Sequence, residues 1–280
     1  MRSFAFALAA CWWLGLLGIA CSHIPSPLTP KLAGSIGPPN HGVLLQATEL
    51  PRSGPGFRWF RDEGHHYGMD RLVRAIRTAA AEVDRARPGG APLFVGDLSA
   101  PKGGRLTGHS SHRTGRDVDF LFYTLTLAGE PVESPGFVTF GPDGLSRLPD
   151  ERGGVKYVRL DVAREWLLVR ALLTSEDANI QWLFMSAPLE ALLIEYALAT
   201  GETAELVWRA ETVLLEPSDS LPHDDHIHAR TACLPNEAVA GCEGGGPYWP
   251  WLPKLPSGFP PETDDSLLLA LLGPFDDHAR

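Results

Sequence analysis

Apolar residues recur at helical spacing between Met69 and Arg87. Leu72, Val73, Ile76, Ala79, Ala80 and Val83 fall on one side, and Asp70 stands near the start. Pro88-Gly89-Gly90 ends the pattern. Val162–Thr174 and Leu189–Thr200 predict two more helices. Short apolar or alternating runs at Leu93–Gly96, Asp117–Tyr123, Trp182–Met185 and Asp225–Thr231 predict four strands. No internal repeat is visible. Strands interleaved with helices predict an α+β domain with a small sheet. Residues 21–57 carry Pro25, Pro27, Pro30, Pro38, Pro39, Pro51 and Pro55 and read as an extended arm or linker. Residues 244–280 form a Pro/Trp-rich tail that ends in a Leu-rich stretch and acidic residues. That leaves 58–243 as the main domain.

The first 20 residues change the picture. One positive charge at Arg2 precedes an apolar run from Phe4 to Ala20. The run is short for a membrane span, which needs about 20 apolar residues, and ends in small residues, so it reads as a secretory signal. Gly18-Ile19-Ala20-Cys21 resembles a bacterial lipobox, with Gly18 where leucine is usual. Cys21 thereby offers a lipid tether to a membrane, and the protein is expected to be exported and periplasmic. Cys233 and Cys242 flank a short loop and are expected to form a disulfide, which suits an exported protein. The net charge of −10 and pI near 5.4 argue against a nucleic-acid partner.

Chemistry concentrates in two islands. The first runs His109-Ser110-Ser111-His112-Arg113-Thr114-Gly115-Arg116-Asp117-Val118-Asp119, the second His223-Asp224-Asp225-His226-Ile227-His228. They hold five of the ten histidines. Side chains alternate along a strand, so Asp117 and Asp119 share a face while Val118 and Phe120 face a core. The same alternation sets His226 and His228 on one face, with Ile227 behind. Laid side by side, the strands bring Asp119 to a histidine of the pair. His112 reaches them from a loop that Gly115 frees to turn back. Two imidazoles and a carboxylate form a three-ligand site of the kind zinc takes in catalytic centres, where a fourth position stays open. Asp117 or Asp224 suits the task of orienting a ligating imidazole. Ser110 and Ser111 beside His112 do not make a serine nucleophile, because nothing resembles a nucleophile elbow. No phosphate-cradling loop or basic cluster accompanies the site, which argues against phosphoester chemistry.

At these residues the chain resembles the penicillin-insensitive murein endopeptidases. These belong to the zinc peptidases that include lysostaphin-type and D-alanyl-D-alanine enzymes. The group's motif is a histidine, six residues, an aspartate, and later His-any-His. His112 to Asp119 and His226-Ile227-His228 meet it. Ser35-Ile36-Gly37 through Thr48-Glu49-Leu50-Pro51, Tyr67-Gly68, Gly96-Asp97-Leu98-Ser99, Gly103-Gly104-Arg105 and Gly108-His109 also match, so the resemblance spans about residues 35 to 243. It implies an α+β fold whose central antiparallel sheet carries one zinc ion, flanked by helices and long loops, with 58–243 as the metallopeptidase catalytic domain. It implies His112, Asp119 and His228 as ligands, with His109 as a further ligand or supporting group. It implies His226 as the group that acts on the attacking water or the oxyanion, and His109, His223 and Asp117 as residues lining the site. The implied substrate is the D-alanyl-diaminopimelyl crosslink between peptidoglycan stem peptides, cut without a serine acyl-enzyme and so without β-lactam sensitivity. The family's cysteine after an early Asn-Gly pair is absent here, and Met69 replaces a frequent histidine. Two rival readings remain: a D,D-carboxypeptidase or dipeptidase of the same zinc group, and a non-catalytic wall-binding lipoprotein. Oligomeric state is not encoded in any motif.

Overall fold

A computed structural model describes residues 33–150, 153–218, 220–244 and 247–254. The expected signal segment, Cys21 with its lipobox, the arm up to residue 32 and the tail beyond residue 254 lie outside the described residues.

A seven-stranded sheet organises the chain. Its strand order is Leu214–Leu215, Ile180–Phe184, His226–Thr231, Asp117–Leu121, Leu93–Val95, Phe57–Trp59, Ser53–Gly54. Pairing is antiparallel except between Ile180–Phe184 and Leu214–Leu215, and between Phe57–Trp59 and Leu93–Val95. All four strands expected from the sequence are present. The sheet is wider than they alone predict, because its outer strands run for only two or three residues and leave no periodic signal. A separate four-stranded sheet, Pro131–Val132, Thr124–Thr126, Val155–Leu160 and Leu145–Pro149, follows the Asp117–Leu121 strand and also went unforeseen.

One face of the large sheet is apolar. Val118, Phe120, Leu183, Ile227 and Ala229 are all completely buried there. They share a core with Leu72, Ile76, Ala79 and Val83 of α1 (Asp70–Ala86), and with Leu168, Val169 and Leu172 of α2 (Val162–Thr174). α3 (Ala187–Ala199) and α4 (Ala204–Val213) add Leu189, Leu193, Val207 and Ala210. Cutting one such buried aliphatic side chain to alanine costs about 2–5 kcal/mol. α2 starts where Asp161 accepts the N–H of Arg164 at 3.1 Å, and α4 where Thr203 accepts that of Leu206 at 3.3 Å. The arm is not free where it is described: Gly34–Ile36 pairs with Val43–Leu45, and Gly37 donates to the carbonyl of Gly241 at 2.8 Å. The Cys233–Cys242 disulfide forms as expected and closes the same corner. There Arg116, fully buried, donates to the carbonyls of Thr231 and Glu243. Trp249 of the tail donates to the carbonyl of Gln181 at 2.7 Å and packs edge-on against Trp182. Among the described residues no helix is long and apolar enough to cross a membrane.

Glu165 on α2 accepts the N–H of Tyr123 at 3.0 Å, which ties the end of the Asp117–Leu121 strand to the helix layer. Burial pushes its carboxyl up to about 8, against the opposing N–H of Tyr123. The folded-state pKa lies above the unfolded one, so the neutral acid's contribution is complete below the ordinary glutamate range and is lost as pH climbs toward 8. Glu165→Gln is expected to remove that loss. In urea titrations from pH 5 to 8 the wild-type midpoint should fall more steeply than the variant's, and parallel slopes would contradict the buried neutral acid.

Candidate metal centre

The two central strands lie in a register that fixes the site. Asp119 pairs with His228, Asp117 with Arg230 and Leu121 with His226. Directly opposed residues point to the same side of a sheet, so Asp117, Asp119, His226, His228 and Arg230 share the face away from the helices. Phe184, paired with His228 on the next strand, extends the row, and its ring lies 5.3 Å from that of His228. The alternation predicted from the sequence holds on both strands.

Asp119 sits at the centre. It is 1% exposed, and neither carboxylate oxygen has a hydrogen-bond partner among the described residues. Its Oδ1 lies 3.2 Å from His112 Nε2, 3.5 Å from His226 Nε2 and 3.9 Å from His228 Nδ1. Its Oδ2 lies 3.9 Å from His109 Nδ1. The second nitrogen of each ring is engaged elsewhere. His112 Nδ1 donates to the carbonyl of Leu98 at 2.7 Å, His228 Nε2 to Asp117 at 2.9 Å and His109 Nε2 to Asp97 at 2.9 Å. A carbonyl or carboxylate only accepts, so each of these bonds puts the proton on the far nitrogen. When the ring is neutral, a lone pair then faces Asp119. Three imidazole lone pairs and a bare carboxylate at one point fit a divalent cation.

His109, His112 and Asp119 form a three-donor group whose ligand atoms all lie within 4.8 Å of one another. His228 joins through its approach to Asp119 and a ring-to-ring distance of 4.6 Å to His112. His226 stands beside this group with Nδ1 bonded to Asp225 at 2.5 Å and its ring edge-on to Phe137 at 5.2 Å. The ring of His223 lies 4.8 Å from that of His226, and its buried Nδ1 has no hydrogen-bond partner among the described residues. Every site residue expected from the sequence therefore gathers here. Of the two acidic residues proposed to orient an imidazole, Asp117 does so, while Asp225 rather than Asp224 reaches the second pair. Asp97, Asp225 and Arg230 complete the site. Asp225 and Arg230 stand within or beside the histidine island, so the alternation could have flagged Arg230, whereas Asp97 comes from a distant loop.

His112 reaches its place through a positive φ of 63°, uncommon for a residue with a side chain. Its N–H donates to Asp117 at 3.2 Å, and its carbonyl accepts the Ser99 hydroxyl at 2.6 Å. Gly115 follows with φ 74°, where a Cβ would meet the Leu44 side chain at 2.6 Å. The turn expected at Gly115 thus needs glycine for two reasons.

Electrostatics divide the histidines. Burial and neighbouring imidazoles push His223 down to about 3. Burial also pulls His228 down to about 4, although Asp117 opposes it. Burial disfavours charge on His226 too, but Asp119 and Asp225 outweigh it and raise that ring to about 10. Asp119 is held well below the carboxylate range because His112 and His226 outweigh its desolvation. Asp117 is held low in the same way by Arg230, 2.7 Å away, and by His228.

The family model described as penicillin-insensitive murein endopeptidase matches residues 35–134, which include His109, His112, Asp117 and Asp119. A protein of that name from Haemophilus influenzae is 28% identical over 80% of this chain and 71% of its own length. One from Klebsiella pneumoniae subsp. pneumoniae is 36% identical over 39% of this chain and 42% of its own length. One from Salmonella paratyphi C is 32% identical over 43% of this chain and 44% of its own length. The chain thus spans less than half the length of the last two. Over these stretches the chain is similar to the penicillin-insensitive murein endopeptidases.

Proposed function

We propose that this protein is a zinc-dependent murein endopeptidase that cuts D-alanyl-diaminopimelyl crosslinks between stem peptides. The observation that carries the reading is the buried Asp119 carboxylate, unpartnered and faced by ring nitrogens whose far sides are already hydrogen-bonded. His112, Asp119 and His228 would hold one ion, with His109 in reach as a further ligand. A zinc ion there would supply Lewis acidity, polarising a carbonyl and making water nucleophilic near neutral pH.

The remaining residues do their own work. Asp225 holds Nδ1 of His226 beside the ligand set. His226 is placed to stabilise negative charge on the scissile carbonyl oxygen and to pass a proton to the leaving amine. Phe137 limits the ring's rotation. His223 stays neutral beside His226. Asp117 fixes the tautomer of His228 and is itself fixed by Arg230 and the N–H of His112. Export through the 1–20 signal, with Cys21 as a lipid tether, would bring residues 58–243 to the cell wall as the catalytic domain.

Incubation with crosslinked muropeptide dimers should yield monomers by mass spectrometry. A chelator should stop the cleavage and added zinc should restore it. Release of free D-alanine with dimers left intact would instead identify a carboxypeptidase. His112→Ala or His228→Ala should abolish zinc binding at the Asp119 site, and cleavage with it. His226→Ala should keep zinc and lose most turnover, by about 10²–10⁴-fold for a lost acid–base group, and wild-type rates from it would remove His226 from the chemistry. Asp117→Asn should weaken zinc binding about 10–100-fold through loss of the oriented imidazole, as read by competition with a chromogenic chelator.

A further inference from the structure

A second group of metal-ligating side chains stands next to the first. Glu63, His65 and Asp97 bring one ligand atom each to within 4.8 Å of one another. Asp97 is held in place by the sheet: the N–H of Asp119 donates to its carbonyl at 3.0 Å, and the preceding Gly96 donates to the carbonyl of Asp119 at 2.8 Å. Its side chain is only 9% exposed. One oxygen, Oδ2, accepts from His109. The other, Oδ1, lies 3.4 Å from His65 Nδ1, outside a good hydrogen bond. That nitrogen is itself buried and has no hydrogen-bond partner among the described residues. The backbone of His65 is pinned where its carbonyl accepts the N–H of Leu98 at 2.7 Å. Glu63 is exposed and stands at the mouth, with Arg61 3.5 Å away.

We propose that Glu63, His65 and Asp97 bind a second divalent cation, one histidine removed from the ion proposed above. The donor chemistry supports it. A neutral imidazole and two carboxylates balance a double positive charge, so the complex buries little net charge. Two oxygens and one nitrogen make a harder set than the histidine-rich group around Asp119, so zinc should fill this site second. The two sites communicate through Asp97, which holds the far nitrogen of His109. A cation on Oδ1 draws charge from that carboxylate and loosens its grip on the ring, so the second ion acts on the first site through His109. This influence rests on the proposed zinc site, whereas the binding itself does not.

The test is metal stoichiometry. Metal-free protein is titrated with zinc chloride alone and followed by calorimetry, in the wild type and in Glu63→Gln, His65→Ala and His112→Ala. The proposal expects two equivalents in the wild type and one in each variant. His112→Ala should lose the tighter ion, and the other two variants the weaker one. Glu63 is exposed, so its variant keeps the fold even if His65→Ala does not. A single wild-type equivalent, lost in His112→Ala and kept in His65→Ala and Glu63→Gln, overturns the second site and leaves the first. A single equivalent with the opposite pattern overturns the catalytic reading and leaves this one. Two equivalents in Glu63→Gln and His65→Ala also overturn the second site.

Discussion

A carboxylate taken out of water without hydrogen bonds is among the most expensive groups a protein can bury, with an effective penalty of several kcal/mol even after relaxation. Asp119 is buried in this way at the middle of the sheet. It stays ionised only because positive or polarisable groups surround it, and the structure meets that demand with imidazoles from two segments. The strand register supplies His226 and His228, and the loop before Asp117 supplies His109 and His112. What makes the group unstable as a plain core residue is what would suit it to hold a cation. The penalty that protein hydrogen bonds leave standing is one a divalent ion can offset.

Holding the rings in place takes a second layer. The segment Gly96–Ser99 contributes at each residue. Gly96 donates to the carbonyl of Asp119, Asp97 accepts from His109 through its carboxylate, Leu98 accepts from His112, and Ser99 donates to the carbonyl of His112. The segment therefore sets the tautomers of two rings and also holds the strained backbone of His112. Strain at a residue persists only when neighbours over-determine its conformation, and three bonds to one residue meet that condition. Asp117 plays the same part for His228 from within the strand, so the donors are oriented before any ion arrives.

The sequence revealed what periodicity controls. Alternation over Asp117–Leu121 and His226–Thr231 placed four site residues on one face, and the helical run from Met69 to Arg87 became α1 almost unchanged. It was silent where contacts join distant segments without a repeating pattern. Asp97 and His65 meet the site through single loop residues, so nothing in their local sequence separates them from surface polar groups. Asp224 and Asp225 are adjacent and chemically identical in sequence. Asp225 reaches His226, a difference set by the entry of the chain into the strand. α4 was legible but missed: Leu206, Val207, Ala210 and Val213 fall at helical spacing and bury, with Trp208, Arg209 and Glu211 on the opposite face.

Two sources of order meet at this site. The apolar face of the sheet, with Ile227, Ala229, Val118 and Phe120 locked against the helices, sets the strand register by hydrophobic burial alone. A one-residue slip would turn every one of those side chains to the polar face. The same slip would carry Asp119 and His228 into the core, so the packing that stabilises the fold also enforces the pairing of the donors. A bound ion would then not be needed to organise the domain, unlike small metal-dependent folds whose core is the metal. Its binding energy would be free to act on the geometry of His109 and His112, the two imidazoles that come from a loop rather than from the sheet.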